Sequence, residues 1–230
     1  MESVITFNGR GCEEWGLKLK AFKVPMPKPK TNYVNIPGAN GSLDMTEIFG
    51  GVLYDDRNVQ YVFDYIGSYE DWEATLSDFA NYLHGQKQKV IIAHDAGYYY
   101  EGRLSVEPSK TNHVTGEITV AGRMAAYKME RFSSMEDWEW DTFNFETGII
   151  REYKDLVVDG ERTLVVPGNR KEIIPSFICS TPMEVVFDGK TYPLPAGTSK
   201  VINIVIAEGE NVLTFMGSGT VSVDYRGGSL

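Results

Sequence analysis

The sequence has few of the features that mark secreted, membrane-spanning or disulfide-stabilised proteins. Its 230 residues include two cysteines, Cys12 and Cys179, and this scarcity favours a reducing compartment. The N-terminus has no basic stretch followed by an apolar run, so we expect no signal peptide. No run of about 18 apolar residues occurs, so we expect no transmembrane helix and no membrane partner.

An excess of positive charge is also missing. The chain carries a net charge of −10. Residues 1–130 contain 13 basic and 17 acidic side chains, and residues 131–230 contain 9 and 15. The most basic stretch, residues 18–30, is interrupted by three prolines and is typical of a solvated loop. A non-specific nucleic-acid binder needs a basic surface, and the charge of this chain argues against one. We also expect no specific nucleic-acid binding.

Catalytic signatures are absent as well. The three histidines, His84, His94 and His113, do not stand at metal-ligand spacing from one another or from a cysteine. No nucleophile elbow and no phosphate-binding loop is present. Neighbouring residues on a strand point to opposite faces, so adjacent acids do not converge as a glycosidase pair. We therefore predict no enzyme activity, no cofactor, and no catalytic, cofactor-binding or metal-binding residues. The adjacent acidic pairs are Glu13-Glu14, Asp55-Asp56 and Glu136-Asp137.

The residues that are present favour β-structure. The chain has 13 tyrosines, 11 phenylalanines and 23 glycines, which suit strands and tight turns. Alternation and turn signals predict strands over residues 4–7, 15–22, 33–36, 43–46, 57–64, 90–93, 98–106 and 114–128. Residues 25–30 should run extended without ladder hydrogen bonds, and Asn40-Gly41 should form a turn.

Only one segment has a helical pattern. It begins near Ser68, which can cap the helix with Asp71 three residues on, and it ends at Gly85. Its apolar side chains form one stripe that should pack against a sheet. The stripe comprises Trp72, Leu76, Phe79, Ala80 and Leu83.

The second half of the chain has no helical pattern. Residues 157–158 and 164–166 should form a hairpin around Asp159-Gly160, and residues 185–187 and 191–194 a second one around Asp188-Gly189. Further strands are predicted over residues 212–215 and 221–225. Short strands with such turns favour an antiparallel sandwich. A change in composition near residues 130–140 predicts a domain boundary there.

The acidic and aromatic stretch after residue 134 has two interpretations. Trp138 and Trp140 next to carboxylates could form a sugar-binding platform. Alternatively, they fix the connection between the two halves of the chain. We favour the second, because both precede the sandwich and no other tryptophan follows.

Three stretches resemble one protein family, the distal tail proteins (Dit) of siphophages. The most specific is the block Ile36-Pro37-Gly38 with Asn40-Gly41-Ser42-Leu43-Asp44, preceded by Trp15-Gly16-Leu17 and followed by Tyr54-Asp55-Asp56-Arg57. The second is the helix end Asn81-Tyr82-Leu83-His84-Gly85. The third comprises residues 209–215, 217–220 and 225–230. The resemblance to this family extends over nearly the full length of the chain.

The resemblance implies a mainly β protein with two domains. Residues 1–132 would be a ring-forming β-sandwich with one α-helix and a β-hairpin, and residues 133–230 a galectin-like β-sandwich. Six copies would form a ring at the distal end of the phage tail, after assembly in the host cytoplasm. The ring would join the tail tube protein to the tail-associated lysin or fibre protein and to a receptor-binding protein. DNA would pass through it.

Two other hypotheses stay open from the residues alone. A carbohydrate-binding module acting in host-surface recognition is the main alternative, and a glycosidase or peptidase is the third. The chain lacks the His, Asn and Arg constellation of sugar-binding galectins, so the galectin likeness would be one of fold. For the ring, we expect exposed strand edges and the region 114–128 to supply the contacts between copies.

Overall fold

The computed structural model describes residues 3–48, 50–110, 116–136 and 153–230. These residues are mainly β, with one α-helix and several antiparallel sheets, which confirms the predicted fold class. The chain divides into two compact units. The first comprises Met1–His94, Tyr100–Tyr127 and Leu230, and the second comprises Asp95–Tyr99 and Lys128–Ser229. Among the described residues, no helix has the length and apolarity needed to cross a membrane.

The elements before residue 132 follow one another in this order. The strands are β1 (Ile5–Phe7), β2 (Arg10–Gly11), β3 (Leu17–Lys23), β4 (Tyr33–Asn35), β5 (Ser42–Asp44), β6 (Arg57–Tyr65), β7 (Lys87–Ile92), β8 (Tyr98–Lys110), β9 (Gly116–Met124) and β10 (Lys128–Glu130). The helix α1 spans Trp72–Leu83 between β6 and β7. Short 3₁₀ turns cover Cys12–Trp15 and Ala93–Asp95.

The elements after residue 152 are all strands. They are β11 (Leu156–Gly168), β12 (Ser176–Cys179), β13 (Met183–Phe187), β14 (Lys190–Leu194), β15 (Gly197–Lys200), β16 (Gly209–Asp224) and β17 (Gly228–Ser229). The Asp188-Gly189 hairpin between β13 and β14 is confirmed, and both residues have positive φ, as a type I′ turn requires.

Most of the first unit is one antiparallel sheet in the order β2-β1-β7-β8-β9-β6-β3. Alternate residues of its strands are buried, as the period-2 pattern predicts. The helix packs on this sheet through Phe79, whose ring centroid lies 6.1 Å from Phe7 and 6.3 Å from Phe63. Trp72 and Leu83 are buried as well, which confirms the predicted apolar stripe.

The start of the helix differs from the prediction. Ser68 and Asp71 do bond to each other, since the Ser68 hydroxyl donates to Asp71 Oδ2 at 2.6 Å. The helix, however, begins at Trp72, and Asp71 is its N-cap residue. The Ser68–Asp71 contact therefore closes the turn before the helix rather than its first turn.

The second unit contains a sandwich built around a bent ribbon. β11 pairs with β16 along its whole length, from Leu156 opposite Val221 to Gly168 opposite Gly209. On its other edge, β16 pairs first with β13 and then with β12. The two parts enclose one core, in which Phe177 of β12 and Phe215 of β16 have ring centroids 6.0 Å apart.

The bend explains why the predicted Asp159-Gly160 hairpin is wrong. Gly217 and Gly219 have φ values of +145° and +144° and lie where β16 changes from one partner strand to the other. Gly160 faces Gly217 and has a φ of +82°. Asp159-Gly160 therefore lies inside one continuous strand, at the corner of the ribbon, and the segments predicted as separate strands are joined.

Candidate assembly site

Residues 24–56 leave the sheet of the first unit between β3 and β6; we call this segment the arm. Its two halves run antiparallel, with Lys30 N donating to the Leu53 carbonyl and Asp55 N to the Lys28 carbonyl, both at 2.8 Å. Farther out, β4 and β5 form a hairpin. The expectation that residues 25–30 lack ladder hydrogen bonds is therefore wrong, because the returning half of the arm supplies their partners.

The hairpin of the arm is amphipathic, and its apolar side is exposed. Val34 of β4 faces Leu43 of β5, and their side chains are 42% and 51% exposed. Ile36, two residues beyond Val34, is 48% exposed. Every residue of both strands is exposed. Within the arm, the apolar side chains of the hairpin have no core to enter.

The opposite side of the hairpin is polar and bonded within itself. The Ser42 hydroxyl donates to Asn35 Oδ1 at 2.7 Å, and Thr46 N donates to Asp44 Oδ1 at 2.9 Å. Hydrogen bonds from the Thr46 hydroxyl and backbone lower the pKa of Asp44, so its carboxylate stays charged at neutral pH. The polar side makes these hydrogen bonds within the arm, whereas the apolar side chains of the other side remain exposed to water.

The base of the arm is held by a buried arginine. Arg57, 2% exposed, donates from Nε to the Ala126 carbonyl at 2.7 Å and from Nη1 to the Pro25 carbonyl at 3.3 Å. Its guanidinium carbon also lies 5.4 Å from the centroid of the Tyr100 ring. One side chain thus ties the start of the arm to the sheet.

The two-stranded form of the arm and its exposed apolar side make it a candidate binding surface. An isolated two-stranded hairpin is marginally stable in water, and it becomes stable when a surface covers its apolar side. Scattered exposed apolar residues are ordinary, but a contiguous set on a projecting ribbon marks an interaction surface. The arm is therefore the best candidate for an assembly contact in the described part of the chain.

Strand edges are less suitable for assembly than the sequence suggested. β9, in the region 114–128, is paired on both sides, with β6 and with β8. β3 ends the sheet, but a bulge interrupts its pairing at Lys20. Lys20 also bonds to Glu117 at 2.8 Å and to Asp64 at 3.2 Å, which raises its pKa. A bulge and charged side chains on an edge strand oppose strand addition.

The histidines have structural positions. His84 follows the last residue of the helix, and its Nδ1 accepts a hydrogen bond from Val106 N at 3.1 Å. Its side chain therefore bonds to a strand, while its backbone N–H donates to the Ala80 carbonyl at the end of the helix at 2.7 Å. His94 stacks on Phe22, with ring centroids 5.2 Å apart. His113 lies outside the described residues.

The adjacent acidic residues have separate partners. Glu13 Oε1 accepts from Val4 N at 3.2 Å, whereas Glu14 pairs with Arg10 at 3.1 Å. Asp55 lies 3.8 Å from Lys30, and Asp56 lies 3.7 Å from Arg123. In the described part of the chain, no group of three or more His, Cys, Asp or Glu side chains could hold a metal ion. Asp137, Trp138 and Trp140 lie outside the described residues.

Both cysteines are buried and unpaired. Burial, followed by the nearby charge of Glu13, raises the pKa of the Cys12 thiol to about 12. Burial also raises the pKa of Cys179. Each thiol is thus a small core residue, protonated at neutral pH.

Comparison with known proteins shows a likeness of structure without a match of sequence. No protein-family model matches the chain. No curated protein sequence matches it either. The chain is similar to the crystal structure of SPP1 Dit (gp 19.1), described as a paradigm of the hub adsorption apparatus in phages that infect Gram-positive bacteria. The TM-score is 0.63 at 10% identity, over 99% of each chain. The chain therefore has a Dit-like fold.

Proposed function

We propose that this chain is a structural hub protein of a phage tail, which assembles into a hexameric ring. The ring joins the tail tube to the tail tip and to the proteins that adhere to the host. Two observations support the proposal: the likeness in fold to a phage hub protein along the whole chain, and the exposed arm. The exposed apolar side of the arm is the observation that supports assembly.

A ring requires heterologous contacts, in which one surface of a copy binds a different surface of the next. An exposed arm is suited to such contacts. It can bind the copy on one side, while the arm of the copy on the other side binds a different surface of the same chain. Covering Val34, Ile36 and Leu43 would remove apolar surface from water at roughly 25 cal/mol per Å². Repeated around a ring, this contact uses every arm and leaves none exposed.

The proposal gives the two halves of the chain different tasks. Residues 1–132 form the ring, and residues 133–230 form a galectin-like sandwich on which other tail proteins dock. The proposed partners are the tail tube protein, the tail-associated lysin or fibre protein and a receptor-binding protein. The proposed location is the distal end of the virion tail. The net charge of −10 suits a ring through which DNA passes without being held.

Electron microscopy and native mass spectrometry of the purified chain test the proposal. We expect hexameric rings from the wild-type chain and mainly single copies from the variant Val34→Ser/Leu43→Ser. The matched control, Val157→Ser/Val212→Ser, changes two exposed valines of the second unit and should leave the rings intact. Single copies of the wild-type chain at every concentration, or rings that survive the arm variant, would contradict the proposal.

A further inference from the structure

A shallow groove lies beside the helix of the first unit. It has a volume of about 450 Å³ and lies between the turn before β3, the end of β6 and the exposed side of α1. We call it the helix groove. Its lining residues are Glu14, Trp15, Gly16, Tyr65, Ile66, Asp71, Ala74, Thr75 and Asp78.

The helix groove combines a few apolar side chains with acidic ones. Ile66 is 65% exposed at the end of β6, beside the edges of two aromatic rings. Trp15 donates from Nε1 to Asp78 Oδ2 at 2.6 Å, which fixes that carboxylate at the groove. No lining residue is basic, and residues 68–85 contain no lysine or arginine. Arg10 pairs with Glu14 at 3.1 Å, which leaves Asp71 and Asp78 as the lining acids without a cation in an ion pair between described residues.

The base of the arm has the complementary chemistry. Met26, Lys28 and Lys30 alternate with prolines along an extended segment, so they lie on one side of it; we call them the ridge. On that side they border a cavity that Asp55 and Asp56 also line. Met26 is 73% exposed, whereas Pro27 between the ridge residues is buried. Lys28 takes part in no ion pair between described residues, and Lys30 has only the long contact of 3.8 Å to Asp55.

The ridge and the helix groove lie at opposite ends of the same pair of strands. β3 pairs antiparallel with β6, from Leu17 opposite Tyr65 to Lys23 opposite Gln60. The helix groove adjoins the Leu17 end, and the arm departs after Lys23 and returns at Arg57. Seven residues of strand place the two surfaces about 20 Å apart. The ridge of one copy therefore does not reach the helix groove of the same copy along this strand.

We propose that the helix groove receives the ridge of a second copy of this chain. This inference rests on the proposed ring and assigns the surface that the base of the arm contacts. Met26 packs on Ile66, while Lys28 and Lys30 face Asp71 and Asp78. Complementary surfaces at opposite ends of one strand pair give the head-to-tail contact from which closed rings are built. The prolines hold the ridge extended before binding, which limits the ordering that the contact requires.

Charge exchange between the two surfaces tests the contact. Lys28→Glu places an acid against the acidic side chains of the groove, and Ala74→Lys places a cation inside the helix groove. We expect each single variant to raise the concentration needed for half-assembly by about tenfold, because like charges then oppose each other. The double variant should restore assembly, because the two new charges attract. Mass photometry over a range of concentrations measures the effect.

Matched controls separate this contact from a change in total charge. Ser77→Lys adds the same cation to an exposed position of the same helix that does not line the helix groove. Lys190→Glu makes the same charge reversal on the second unit. Both controls should assemble like the wild-type chain. If Lys28→Glu and Ala74→Lys also assemble like it, the contact proposed here is wrong and the ring itself stands.

A disulfide between the two surfaces gives a positive test. Oxidation of Met26→Cys/Ala74→Cys should link copies head to tail and give a ladder of covalent species that ends at the size of the ring. The native cysteines are buried and should not compete. Met26→Cys/Ser77→Cys is the matched control and should not give the ladder. A wild-type chain that forms no ring at any concentration would overturn the proposed function and this contact together.

Discussion

Two antiparallel ribbons in the described part of the chain, the β11–β16 pair and the arm, have opposite relationships to a core. In the β11–β16 ribbon, side chains alternate between buried and exposed, and Leu213 and Phe215 are fully buried. In the arm, both strands of the hairpin are exposed on both sides. The two ribbons have similar apolar residues in sequence. They differ in whether the same chain provides a surface to cover those residues.

This difference bears on the assembly contact proposed for the arm. A strand whose apolar side is covered contributes to the stability of its own unit. A strand whose apolar side remains exposed contributes stability only when another chain covers it. Substitutions in the two ribbons should therefore separate monomer stability from assembly.

The largest expected contrast comes from one substitution made in both ribbons. Leu213→Ala should lower the free energy of unfolding by about 2–5 kcal/mol, because it leaves a cavity in the core of the second unit. Leu43→Ala should change it by less than about 0.5 kcal/mol in the monomer, because Leu43 is exposed. Urea denaturation of dilute, monomeric protein measures both values.

Assembly assays on the same two variants sharpen this contrast. We expect Leu43→Ala to weaken ring formation although the monomer keeps its stability. Comparable losses of monomer stability from Leu43→Ala and Leu213→Ala would show that the arm packs on its own chain. The distinction between the two ribbons would then be lost.

A smaller contrast concerns the glycines at which the two ribbons change direction. At Gly219, φ is +144°, and an added Cβ would lie 2.4 Å from Thr181 Oγ1, a hydroxyl that bonds to the Ser218 carbonyl. Gly219→Ala should therefore cost roughly 2–4 kcal/mol of unfolding free energy. Gly38 in the arm has a φ of +84° and no atom within 4 Å of an added Cβ, so Gly38→Ala should cost about 1 kcal/mol. Thermal unfolding of the two variants measures the difference, and equal losses would argue against a packed corner in β16.

The smallest expected effect depends on pH and is confined to the core of the first unit. The pKa of the Cys12 thiol is raised from 9.0 to about 12 in the folded chain. Above pH 9 the unfolded chain loses this proton first, so the unfolding free energy falls as the pH rises until the folded thiol also ionises. The stabilisation is fully present below pH 9.

Comparison with Cys12→Ala isolates this contribution from the other groups that titrate at high pH. The difference in unfolding free energy between wild type and variant should narrow as the pH rises from about 8 to about 10. An unchanged difference over that interval would mean that the thiol is not buried as described.

Much of the fold could be predicted from local signals in the sequence. The helix was evident from the spacing of Trp72, Phe79 and Leu83, since only one face of a helix meets the sheet. The Asp188-Gly189 turn was evident because both residues accept positive φ. The strands of the arm were also predicted to within two residues at their ends.

The remaining features depend on partners that local signals do not identify. Asp159-Gly160 has the composition of the Asp188-Gly189 turn, but a facing glycine, Gly217, lets the strand continue through it. The exposure of the arm could not be predicted either. Val34 and Leu43 alternate with polar residues, and the same alternation occurs in strands of the core. Whether a strand is buried depends on the residues that pack against it, and these cannot be identified from the sequence of the strand itself.

The tether at Arg57 has a consequence for the number of copies in a closed ring. A flexible arm would allow its neighbour a range of orientations, and chains could then join into rings of several sizes or into open filaments. Because one buried guanidinium binds carbonyls from both Pro25 and Ala126, the arm leaves the sheet in a set direction. Each copy would then turn the next by the same fraction of a full rotation. The number of copies in the proposed ring would then be set by the structure of the single chain.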